Sequence, residues 1–470
     1  MSTARRFPSP GASGALCVLG LGLWASCGGG AGTTIEITFR KPSDPTLLDR
    51  VDAFVFSAVD ARGQLLVLRR FAPAQALRLD DVPFGRQLSF AIDGLFMDNP
   101  IVEGRSCAVD VVAGGPSPRV AMFLGPVGAF SPTVVAPPGS PRIGPVVVAR
   151  QDGRVLIAGG ATPDGPVLSS AQQYDARSGL WATDRDLLIP RANAAWAAIP
   201  GGALIAGGVG ADGAPVGQID RYDEVTGFQA IRVDATLALG GLAMAALPGG
   251  AVLISGGAYA GGVPVNLSWL YDGGSVLPLA VGMASPRQAH TLSVVGAGNF
   301  TAAFAIGGWG ADGRPLASIE LYDARGPSGA AFSLKSAVLA FPRAGHTATV
   351  LRTGEILIVG GEAGAGAPPV RAVEIFDPIT STVRPAGTLA EGRVGHTATL
   401  LGDGRVLVVG GRGAAGPLAS AEIYDTAVGT FAAARSLGVP RVGHVAVPLC
   451  DGTVLVIGGG AGAELYGPKR

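Results

Sequence analysis

All four histidines of this 470-residue chain stand three places after an arginine: Arg287 and His290, Arg343 and His346, Arg393 and His396, Arg441 and His444. Histidine titrates near neutrality and ligates metals, so such a set invites a catalytic or metal-binding reading. A residue chosen for chemistry breaks a repeat rather than recurring with it, and the regular spacing therefore favours a structural role. Arg142 and Arg191 occupy the same place without the histidine. The other reading is that equivalent positions surround one axis. The six guanidinium groups and four imidazoles would then line an axial face suited to carboxylates or acidic peptides.

The remaining reactive inventory is thin. Six of the seven tyrosines also recur in register, leaving only Tyr259 spare. Cys17, Cys27, Cys107 and Cys450 form no CxxC pair. Cys107 and Cys450 either pair in an oxidising compartment or remain buried thiols; both readings stand. Asp164-Gly165, Asp212-Gly213 and Asp312-Gly313 offer one carboxylate each, which suits a turn rather than calcium. The chain contains no P-loop, GxSxG or HExxH pattern. No catalytic residue, metal ligand or cofactor is assigned.

The elements that carry these side chains are tandem copies of one unit. A glycine pair closes an apolar run at Gly159-Gly160, Gly207-Gly208, Gly256-Gly257, Gly307-Gly308, Gly360-Gly361, Gly410-Gly411 and Gly458-Gly459, an interval of about fifty residues. After each pair comes an aromatic residue, followed by aspartate in six copies: Tyr174-Asp175, Tyr222-Asp223, Tyr271-Asp272, Tyr322-Asp323, Phe376-Asp377 and Tyr424-Asp425, with Tyr466-Gly467 last. The aromatic can fill a wedge between neighbouring sheets, and the aspartate can accept N–H bonds in the next turn. Ahead of the pairs, dipeptides such as Asp152-Gly153, Asp403-Gly404 and Asp451-Gly452 suggest two-residue type I′ hairpins. Runs such as Val406-Leu407-Val408-Val409 lack alternation, as expected of strands covered on both faces. The third copy is the most altered, with Leu239 and Leu242 in the places of arginine and histidine.

Glycine pair, aromatic-aspartate step and outer aromatics such as Trp181, Phe228 and Phe431 resemble the kelch repeat. The resemblance covers residues 128–470 and implies an all-β chain whose second unit is a seven-bladed β-propeller. The last copy ends soon after Tyr466, so residues 128–136 are expected to supply its fourth strand, as residues 429–436 do for the copy before. The copper-dependent sugar oxidases of this architecture, similar to galactose oxidase, imply tyrosine, histidine and a cross-linked cysteine at one metal. The spare residues here are Tyr259, Cys107 and Cys450, with no spare histidine. The expectation is therefore a non-catalytic, monomeric propeller that binds a protein or glycan through rim loops, the loops beside Trp269 and Trp309 included. Its alternative is a carbohydrate-active enzyme, isomerase-like or oxidase-like, using the axial face.

Residues 1–26 have the layout of a secretory signal, with Arg5 and Arg6, an apolar stretch from Ala15 to Trp24, and Ala25-Ser26 before Cys27. With the Gly-rich tether 27–32, this resembles a bacterial lipoprotein signal, which implies lipidation at Cys27, envelope localisation and no other membrane attachment; the alternative is a secretory signal that is simply cleaved. Residues 33–127 show period-two segments at Ile35 to Phe39, Val51 to Phe56, Leu65 to Leu68, Leu77 to Leu79, Leu88 to Ile92, Val109 to Val112 and Val120 to Leu124. They fit a small β-sandwich of immunoglobulin-like or transthyretin-like outline, serving as a spacer. Basic and acidic residues balance at 35 each, which gives nucleic acid no reason to bind. With 48% hydrophobic and 15% charged residues, the 74 glycines signal turns rather than disorder.

Overall fold

The computed structural model describes residues 35–40, 45–73, 82, 84–112, 118–133, 135–139, 141–150, 152–297, 300–323 and 331–467. The leader, Cys27, the tether and the strand expected at Leu77 to Leu79 lie outside the described residues. No helix among the described residues is long and apolar enough to cross a membrane.

The first unit comprises β1 (Glu36–Arg40), β2 (Ala53–Val59), β3 (Leu65–Phe71), β4 (Gly85–Phe96), β5 (Asn99–Arg105), β6 (Val109–Val111) and β7 (Arg119–Pro126), with a 3-10 turn at Pro45–Arg50. The strand order is β1-β7-β5-β4-β2-β3, and β6 joins the early part of β4. Alternation decides which side chains point inward: Phe56 and Ala58, Phe90 and Ile92, and Val120, Met122 and Leu124 meet in one core. Sequence reading missed β5. Its hairpin turns at Met97 and Asp98, with φ of 50° and 64°, rather than at glycine. The amide of Met97 is held by the Asp52 carboxylate at 2.7 Å.

Seven four-stranded antiparallel sheets follow, which makes the fold an all-β, seven-bladed propeller. Blade 1 consists of Val146–Ala149, Arg154–Ala158, Ala171–Asp175 and Leu180–Asp184, from the axis outward. The second strand of each blade is buried on both faces, and its alternation allots side chains to two different neighbours. In blade 6, Val406 and Val408 pack on Leu357 and Val359 of blade 5. Leu407 and Val409 turn to Val454 and Val456 of blade 7. Each such side chain contributes about 2 kcal/mol that one blade alone could not gain.

The Asp-Gly hairpins depart from the type I′ expectation. Gly404 N–H donates to Leu401 O at 3.0 Å and Leu401 N–H to Arg405 O at 2.8 Å, and of the three turn residues only Gly404 has positive φ, at 92°. This is a three-residue loop with a terminal left-handed glycine. Asp403 contributes its carboxylate instead, accepting from Arg405 N–H at 3.0 Å.

The fourth strand of blade 7 is β8 (Ala129–Pro132), which pairs with Ala463–Gly467. Phe130 lies 5.0 Å from Tyr466, matching Tyr424 to Phe431 at 4.9 Å and Tyr222 to Phe228 at 4.8 Å, so the seam repeats the packing within a blade. Cys107 and Cys450 form a disulfide joining the first unit to blade 7 across a sequence separation of 343.

Candidate functional site

The six arginines precede the inner strands of their blades and reach back into them. Each donates from Nη1 to the carbonyl of the first glycine of its blade's pair: Arg142 to Gly159, Arg191 to Gly207, Arg287 to Gly307, Arg343 to Gly360, Arg393 to Gly410 and Arg441 to Gly458. Five also form ion pairs with a carboxylate on the third strand. These are Arg191 with Asp220 (2.8 Å), Arg393 with Glu422 (2.9 Å), Arg441 with Glu464 (3.0 Å), Arg287 with Glu320 and Arg343 with Glu374. In four of them the acid also accepts backbone N–H groups before the arginine, from Ala284, Ala340, Ala390 and Gly438. Burial lowers the pKa of Arg191 and raises that of Asp220, and each charge counteracts the shift of the other. An external anion at these five positions would first have to displace a buried carboxylate.

These acids went unnoticed in the sequence, although each lies two residues before the blade aromatic. A further signal was that the pair fails as a unit in blade 3, where Leu239 and Trp269 replace both partners and are buried. In blade 1 only the acid is missing: Arg142 is kept and Gln172 holds the acid's place.

Each histidine ring lies against the first glycine of the preceding blade's pair. A Cβ at Gly360 would stand 2.5 Å from the His396 ring, and one at Gly410 would stand 2.8 Å from that of His444. Only glycine leaves room there, and its positive φ, 65° and 59°, suits no other residue as well. The Nε2 atoms bond hydroxyls of that same preceding blade: His290 with Ser255 (2.9 Å), His346 with Thr291 (3.1 Å), His396 with Thr347 (3.0 Å) and His444 with Thr397 (3.0 Å). Burial, reinforced by the nearby arginines, pulls the pKa of His346 and of His444 down to about 3 and those of His290 and His396 well below the ordinary range. The rings are therefore neutral at physiological pH.

Inside them, residues one place before the histidine position form a belt of backbone bonds from blade to blade. Examples are Asn193 N–H to Gly144 O at 2.8 Å and Gly144 N–H to Gly443 O at 2.8 Å. All ten residues expected at the axial face are buried, none more than 6% exposed. Trp269 is core and Trp309 half-buried, while Tyr259, Val263, Leu267 and Val281 of blade 3 are exposed.

No protein-family model matches the chain. No curated protein matches it either. Among solved structures it is similar to a fungal alcohol oxidase, described as novel, with catalytic diversity among the AA5 family and in complex with copper. The identity is 17%, the TM-score 0.56, and the match covers 71% of this chain and 75% of that one. It is also similar to YjhT, at 14% identity and a TM-score of 0.49, covering 63% of this chain and 98% of that one. At such identity the likeness is one of fold: this chain carries a seven-bladed β-propeller of the galactose-oxidase-like architecture.

Proposed function

We propose that this chain is a non-catalytic binding propeller of the bacterial cell envelope, engaging a protein or glycan through its rim loops. One observation carries the reading. The four histidines are spent on bonds between blades and five of the six arginines on an acid of their own blade, while the rim of blade 3 presents apolar surface without charge. No charged residue occurs from Ala235 to Tyr271, and Tyr259, Val263 and Leu267 are exposed within that stretch. Isolated exposed hydrophobics are ordinary, but three on one charge-free loop mark a binding surface.

Copper chemistry like that of the oxidase does not fit these residues. Among the described residues no group of three or more His, Cys, Asp or Glu side chains could hold a metal. Every histidine Nε2 is engaged by a hydroxyl, and Cys107 and Cys450 are joined to each other. Export is supported by the layout of residues 1–26 and by this disulfide, since such bonds persist in oxidising compartments.

The test is a glycan array and cross-linking in intact envelopes, comparing the wild type with Tyr259→Ala and Val263→Asp. The expected result is specific binding by the wild type that both variants abolish at unchanged melting temperature, with bound sugars recovered intact. Conversion of a bound sugar, or binding indifferent to both substitutions, would overturn the reading.

A further inference from the structure

Blade 1 and blade 7 meet at a cleft made by a shortened loop. Between the second and third strands, blade 7 has only Gly458 to Gly462, whereas blade 1 has residues 159–170. The cleft that results has a volume of about 260 Å³ and is lined by Arg142, Gln172, Gly139, Pro141, Ala461 and Gly462, among others.

Arg142 is the arginine without an acid at the equivalent place on its blade's third strand, where Gln172 stands. It is 6% exposed, and Gln172 is 3% exposed. Its Nη1 donates to Gly159 O and Ser170 O, and its Nη2 to Ser170 Oγ at 2.9 Å. Burial lowers its pKa, and the charge of Asp186 offsets only part of that from a distance, its carboxylate accepting the N–H of Ala171 instead. Among the described residues the Nε of Arg142 has no acceptor, as is also true of the acid-paired Arg191 and Arg393, and Gln172 Oε1 has no donor, so what sets blade 1 apart is the carboxylate absent from Arg142 Nη2. Blade 6 shows what is missing. There Arg393 Nη2 donates both to Ser420 Oγ, the equivalent of Ser170, and to Glu422. The other oxygen of Glu422 accepts the N–H of Ala390, three residues before the arginine. In blade 1 the residue three before the arginine is Gly139, which lines the cleft and has open space in its Cβ direction. A buried guanidinium retained without its acid is costly, and an anion that restores the pairing recovers that cost.

We propose that this cleft binds a small organic carboxylate, whose oxygens take the place that a glutamate side chain takes in the other blades. One oxygen accepts from Arg142 Nη2 and the other from Gly139 N–H. The proline, alanine and glycine lining leaves room for a compact apolar body. The site shares no residue with the blade 3 surface, so the two readings stand or fall separately.

The experiment is calorimetric titration and thermal unfolding of the purified protein with propionate. Propionamide and sodium chloride at matched ionic strength are the controls, on the wild type and on Gln172→Glu. Propionate should bind the wild type saturably and raise its melting temperature by about 2 °C or more at twenty times its dissociation constant, while neither control does. Gln172→Glu supplies the acid from within the chain, so it should melt higher without ligand and lose the response to propionate. A saturable shift of the carboxylate ¹³C signal of labelled propionate on the wild type gives a reading independent of that variant. Equal responses to propionate and chloride, or a Gln172→Glu protein that still binds propionate, would overturn the proposal.

Discussion

The buried histidines make the propeller acid-sensitive through a term whose size can be worked out. His346 has its folded pKa pulled from 6.5 to about 3, first by burial and then by Arg343 and Arg287. A histidine depressed in the folded state binds its proton only in the unfolded chain between those two values. Its contribution is therefore complete above 6.5 and is lost as pH falls toward 3. At about 1.4 kcal/mol per pH unit, going from about pH 7.5 to about pH 4.5 costs about 2.7 kcal/mol for His346. His444 costs a similar amount, His290 and His396 act in the same direction, and Asp220 and Asp451, whose pKa values burial raises, oppose them. The assay is urea unfolding at a series of pH values for the wild type and His346→Gln. Glutamine cannot titrate, so the variant should be weaker at about pH 7.5 but lose about 2–3 kcal/mol less on acidification. Parallel profiles for the two proteins would refute the reasoning, because they would mean that His346 takes up its proton equally in both states.

Two further outcomes follow from the same geometry. Glu374→Gln leaves the guanidinium of Arg343 buried without a carboxylate and should cost about 3–5 kcal/mol in urea unfolding. Adding Arg343→Leu should restore part of that loss, as in blade 3, and simple additivity would refute the pairing. Replacing Cys107 and Cys450 together by serine opens a closed loop of 343 residues. Chain entropy puts the loss at about 4–6 kcal/mol, and a melting temperature unchanged in the variant, or in the wild type under reductant, would refute the cross-link.

The propeller was legible because its signals are local and repeated. Glycine pairs, blade aromatics and turn aspartates each follow from backbone geometry within a few residues, and chance does not mimic seven copies in register. The first unit was less so: β5 follows a turn at Met97 and Asp98, both of left-handed φ without glycine, whose Met97 N–H bonds the distant Asp52. The arginines and histidines were found, but their partners were not. Asp220 and Glu320 are remote in sequence from the arginines they satisfy, and nothing local in Cys107 or Cys450 selects pairing over burial. The axial face expected from symmetry overlooked the fact that a guanidinium of this length reaches its own blade's third strand before it reaches the axis.

The departures from the repeat therefore say more about function than the repeat does. Blade 3 carries neither the arginine nor the acid, and Leu239 and Trp269 are buried in an apolar core in their places. Their joint absence is the stable arrangement, because a buried half-pair is worse than none. Blade 1 shows the half-pair, with Arg142 against Gln172, and it stands at the cleft beside the shortened loop of blade 7. Arg142 still bonds Gly159 O, Ser170 O and Ser170 Oγ, so what blade 1 leaves open is the place of the acid. On the carboxylate proposal a ligand from outside takes the place that the acid fills in the other blades, and Glu at position 172 would close the site to it.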